Sequence, residues 1–97
     1  MVWEARQLPP VAAAGPDQAL KTSSTSMAVQ LNGSGSYDLD GNVVQWLWSW
    51  TVDGVSYQTE GERPVVLLPM GVHQIKLVVY DGELWSDPDT VRIVISS

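Results

Sequence analysis

The sequence predicts an all-β fold, an immunoglobulin-like two-sheet sandwich of about seven strands. Three observations carry this expectation. Apolar residues recur at every second position in several runs, and no stretch shows a convincing helical period. Clusters of Gly, Pro, Asn and Asp cut the chain about every 8–12 residues, the spacing of sandwich turns. Val, Ile, Thr, Trp and Tyr are plentiful, while Ala gathers mostly in one cluster.

The elements follow in order. Residues 1–8 read as a linker or leader, ended by Pro9 and Pro10, which favour extended backbone. Residues 11–15 are expected to pair as a short edge strand, with 18–21 a second short segment beyond the Gly15-Pro16-Asp17 turn. Met27, Val29 and Leu31 alternate with polar neighbours and predict a half-buried strand. The run 32–41, rich in Gly, Ser and Asp, is loop. Residues 43–52 form the longest alternating run, with Val44, Trp46, Trp48, Trp50 and Val52 on one face. Asp53-Gly54 signals a hairpin into 55–58. A short strand is expected at 65–68. Its flanking prolines, Pro64 and Pro69, protect it against added strands. His73, Ile75, Leu77 and Val79 share one face of the next strand; Val72, Gln74, Lys76, Val78 and Tyr80 share the other. After a long turn over 81–87, Val91, Ile93 and Ile95 point inward from the last strand.

The chain has 97 residues and a formal charge of −6, which fits one domain, expected over 9–97. It has no cysteine, so disulfides, thiolate catalysis and cysteine-ligated metals are excluded. Scattered bases and excess acid argue against nucleic acid as a partner. No apolar run approaches the roughly 20 residues of a membrane helix, so membrane insertion is not expected. The start, MVWEARQLPP, has no apolar core of a signal peptide, and the segment reads as part of a longer protein. A monomer is expected.

Candidate chemistry is sparse. Asp38, Asp40 and Asn42 follow the opening order of a calcium-binding EF-hand loop. That loop needs Gly at its sixth position and Glu at its twelfth, where Val43 and Ser49 stand, so the reading fails. In its place, Asp and Asn side chains bond their own backbone in a turn. Trp46, Trp48 and Trp50 admit two readings: a platform for sugar rings, or the inward face of a central strand. With Val44 and Val52 at its ends, the row is expected to be structural core. Trp3 and Trp85 fall in loops, and Trp85 is the candidate ligand contact. His73 has no partner set for metal or nucleophile chemistry and reads as a satisfied strand histidine. The loop serines 34 and 36 do not sit on a strand-to-helix elbow. Among eleven acids chance pairs arise easily, so paired carboxylates do not argue for a glycosidase. The chain is expected not to be an enzyme. Asn32-Gly33-Ser34 matches an N-glycosylation sequon, which matters only in a eukaryotic secretory setting.

Three stretches, in order, resemble the polycystic-kidney-disease (PKD) domains and their bacterial relatives. They are PPVAAAGPDQ (9–18), LNGSGSYDLDGNVVQWLWSW (31–50) and GVHQIKLVVYDGELWSDPDTVRIVI (71–95). The chain departs from the family at Gln7 and Leu8, where Asn is frequent. It departs again in SWTVDG after Trp48, which lacks a glycine, and at His73, where Tyr is usual. The resemblance implies a divergent, bacterial-type PKD-like module, extracellular or at the cell surface and without catalytic activity. Such a module acts as a spacer, an adhesion unit, or a protein or carbohydrate interaction unit beside neighbouring domains. It also implies an alternative, a calcium-stabilised accessory to a secreted polysaccharide- or protein-degrading enzyme. The family's calcium positions map to Asp38, Asp40 and Asp81. No cofactor is required on this reading, and calcium is the one that fits it.

Overall fold

A computed structural model describes residues 8–39 and 41–97. Apart from Leu8, the expected leader lies outside the described residues. Seven strands follow one another: β1 (Gln18–Lys21), β2 (Ser26–Gln30), β3 (Gln45–Val52), β4 (Val55–Glu60), β5 (Val65–Pro69), β6 (Gly71–Tyr80) and β7 (Asp89–Ser96). They form two sheets, one of five strands in the order β1-β7-β6-β3-β4 and one pairing β2 with β5. The all-β sandwich expected from the alternation is therefore present. All neighbours are antiparallel except β1, which runs parallel to β7 with Gln18 opposite Ile93. No helix among the described residues is long and apolar enough to cross a membrane.

Parity sorts the side chains. Ile75, Leu77 and Val79 of β6 and Val91, Ile93 and Ile95 of β7 are buried, and Val29, Leu31, Val66 and Leu68 meet them from the other layer. Each such aliphatic side chain contributes about 1.5–3 kcal/mol on burial. Trp48 sits between the layers at 0% exposure. Asp53 (φ 51°) and Gly54 (φ 80°) both take left-handed backbone in the two-residue link between β3 and β4. That geometry matches the twist of the two strands it joins.

Two local expectations are corrected. Residues 11–15 form no strand; only Val11 bridges, to Tyr37. Side-chain acceptors replace a ladder there: the Ala13 amide donates to Ser36 Oγ at 3.0 Å and the Ala14 amide to Asp89 Oδ2 at 2.7 Å. Val44 does not share the inward row, being 60% exposed. The strand begins only at Gln45, so its period does not extend back, and Val43 packs against the core instead.

Candidate binding surface

The tryptophans of β3 divide by their surroundings. Trp48 Nε1 donates to the Gly61 carbonyl at 2.8 Å, and Trp46 Nε1 to the Gly33 carbonyl at 3.0 Å. Burying an indole leaves its N–H in need of an acceptor, and loop carbonyls supply both. Gly33 is the floor beneath them: a Cβ there would lie 2.7 Å from Trp46 Cδ1 and 3.0 Å from Trp48 Cζ2. The glycine in NGSGS thus serves close packing, a role that only its spatial neighbours reveal. Trp50 packs against the core from the lateral opening between the sheets and stacks with Tyr57, ring centroids 6.0 Å apart. Together with Val52, Val66, Leu67 and Pro69 the pair lines an apolar groove of about 470 Å³.

The three aspartates are only partly described. Asp38 is half-buried, with Oδ2 shut from solvent. Asp40 lies outside the described residues. Asp81 Oδ1 accepts from the amides of Glu83 and Leu84 at 2.8 and 2.7 Å, closing its own turn. The Val44 amide donates to the Tyr80 carbonyl at 2.8 Å, which brings the end of the 32–44 loop beside Asp81. Among the described residues, no three His, Cys, Asp or Glu side chains gather as a metal site. His73 is buried, with Nε2 2.7 Å from the accepting Pro69 carbonyl.

Trp85 is presented by a pinned loop. Its neighbour Ser86 is buried and tied twice to Val79: the Ser86 amide donates to the Val79 carbonyl at 2.8 Å, and the Val79 amide donates to Ser86 Oγ at 2.9 Å. The Tyr80 hydroxyl donates to the Gly82 carbonyl at 2.8 Å. Between these fixed points Trp85 bridges Tyr80 and lies over its ring at 4.7 Å and 27°, while staying 43% exposed. Tyr80 belongs to the outward row of β6, so the aromatic pair stands at one end of the outer face of the five-stranded sheet.

The rest of that face is mixed: Leu47, Val72, Val78 and Val94 share it with polar side chains. Register sets Ser49 beside Lys76 and Gln58, Thr51 beside Ser56, Lys76 beside Thr90, and Gln74 beside Arg92. Ser49, Thr51, Ser56, Gln74 and Lys76 surround a shallow depression of about 570 Å³. From Tyr80 to Gln74 the outward row runs six residues, roughly 20 Å at strand rise. Tyr80 carries no site signal in the sequence; its place in the outward row of 72–80 was the only hint.

No family model matches the chain, and no curated protein matches it. Solved structures do. One comes from work on the promiscuous specificity of carbohydrate-binding modules of the β-sandwich superfamily. It aligns at 23% identity with a TM-score of 0.72, covering 96% of this chain and 36% of the other. A second is a nucleoside hydrolase-related hypothetical protein from Saccharophagus degradans that is associated with carbohydrate metabolism. It aligns at 22% identity with a TM-score of 0.62, covering 92% of this chain and 26% of the other. The chain thus spans about a third of the length of the first and about a quarter of the second. At these identities the likeness is one of fold, and the chain is a β-sandwich module.

Proposed function

We propose that the chain is a non-catalytic carbohydrate-interaction module of a larger secreted or surface protein, a divergent relative of PKD domains. The observation that carries this reading is the half-exposed Trp85, stacked on Tyr80 at the end of an outer face that carries amide and hydroxyl side chains among its aliphatic ones. An exposed indole offers an apolar plane to the C–H face of a pyranose ring. Gln45 opposite Tyr80, and the Gln, Ser and Thr groups further along the face, both donate and accept hydrogen bonds, as sugar hydroxyls require. The sandwich fold shared with carbohydrate-binding modules supports the reading. The extracellular setting rests on the PKD resemblance.

Depletion binding against a panel of insoluble and soluble polysaccharides tests it. Retention is expected on at least one glycan and is expected to be lost in Trp85→Ala while that variant still melts cooperatively as a folded domain. If wild type binds no glycan, or if Trp85→Ala binds as wild type does, this reading fails.

Calcium stabilisation is a second reading, favoured by the Val44–Tyr80 bond that brings the 32–44 loop beside Asp81. Asp38, Asp40 and Asp81 would supply hard oxygen ligands of the kind calcium takes. Millimolar calcium is then expected to raise the melting temperature, and chelator to lower it. An identical melting curve in both conditions removes this reading.

A further inference from the structure

We infer that the outer face of the five-stranded sheet takes an anionic glycan, one bearing carboxylate or sulfate groups. This deepens the carbohydrate reading and rests on it.

Charge is segregated in this molecule. Apart from Glu60 and Asp89, the described acids occupy loops and turns, namely Asp17, Asp38, Asp53, Glu62, Asp81, Glu83 and Asp87. Three of the four described cations, Lys21, Lys76 and Arg92, stand instead on one face. Register and parity place them there. Leu20 packs toward the core and turns Lys21 outward, while Ile75 and Leu77 are buried on either side of Lys76, and Val91 and Ile93 on either side of Arg92. Lys76 and Arg92 are diagonal neighbours across the β6–β7 pair, roughly 7–8 Å apart at the backbone. No ion pair among the described residues engages either of them.

The acids near this face are few. Glu60 shares it at the β4 edge, where Gln45 Nε2 donates to its carboxylate. Asp17 flanks it at the β1 end and accepts from the Arg92 amide at 2.9 Å. Asp81 lies five residues along β6 from Lys76, roughly 17 Å at strand rise. That exceeds the screening length of about 8 Å at physiological salt, so the acidic loop does not cancel the central cations. A guanidinium near an ammonium, with amides and hydroxyls around them, suits an oxyanion carried on a sugar. The guanidinium can meet carboxylate or sulfate oxygens with two parallel bonds, the ammonium adds a point charge, and the aromatic pair takes a ring further along the chain.

The experiment titrates the whole chain with polygalacturonate, with its carboxyl-reduced neutral form, and with dextran sulfate, at low and high sodium chloride. A DNA oligonucleotide serves as a non-sugar polyanion. Polygalacturonate or dextran sulfate is expected to bind, about tenfold more weakly at high salt, and about tenfold more weakly again in Lys76→Gln/Arg92→Gln. Which of the two binds more tightly tells carboxylate from sulfate. Both substitutions lie on the exposed face, and an unchanged melting temperature shows the variant folded. Equal binding of the neutral polymer, or full binding by the double variant, overturns the inference and leaves the carbohydrate reading standing. DNA binding as tight as any glycan also overturns it, as does selective binding of a protein ligand through these two residues. If none of these polymers binds while the polysaccharide panel gives a neutral ligand, the inference falls alone; if the panel also gives none, both readings fall.

Discussion

Trp48 and Trp85 are the same residue set in two regions with opposite demands. Trp48 stands in the middle of β3, where β6 and β4 flank it and β2 and β5 cover it, and its single polar atom is satisfied by Gly61. Trp85 stands in the link between β6 and β7, stacked on one side by Tyr80 and open on the other. Removing the first leaves a void among packed side chains; removing the second mostly exposes another ring. The position of an indole relative to the two layers, more than its chemistry, decides whether it contributes stability or surface.

The comparison breaks most sharply at Trp48. Trp48→Ala is expected to cost about 3–5 kcal/mol in urea denaturation, the range for a buried aromatic cut back to a methyl. A loss under 1 kcal/mol would mean that the layers do not close over it. Gly33→Ala sharpens the same point from outside the side chain. Its Cβ would press on Trp46 and Trp48, and overpacking of this kind costs about 1–3 kcal/mol, visible as a lower denaturant midpoint. Asp89→Ala tests how far the core's influence reaches along the chain. It strips the acceptor from the buried Ala14 amide, a loss of about 1–3 kcal/mol, together with faster hydrogen exchange at that amide. Trp85→Ala is expected to be the mildest. Losing the ring pair costs about 0.5–1.5 kcal/mol by calorimetric melting, with the larger effect on glycan retention. A Trp85 variant as unstable as the Trp48 one would erase the distinction.

Much of the architecture was legible because alternation is a local property. The inward residues of β6 and β7 follow from a period of two, and Asp53-Gly54 announces its hairpin through the backbone that such a pair tolerates. The failures were equally physical. Val44 continued the apolar row on paper, yet the strand starts one residue later and the loop delivers Val43 to the core. Residues 11–15 carry apolar side chains but are held by Ser36 and Asp89, acceptors distant in the chain that no local pattern announces. For the candidate surface, Trp85 stood out as a loop aromatic. Tyr80 beneath it did not, because a tyrosine ending a strand is ordinary until the loop folds back over it.

By itself the sequence determined which side chains share a strand face, where the chain turns, and that no cysteine chemistry occurs. Those follow from covalent order and the two-residue repeat of an extended backbone. Only the tertiary structure decided which strands lie side by side. That choice placed Gly33 beneath two indoles, laid Trp85 across Tyr80, and gathered Lys21, Lys76 and Arg92 onto one face of an acidic molecule. Partners far apart along the chain meet only once strand order and register are set, and those depend on burying both sheets at once.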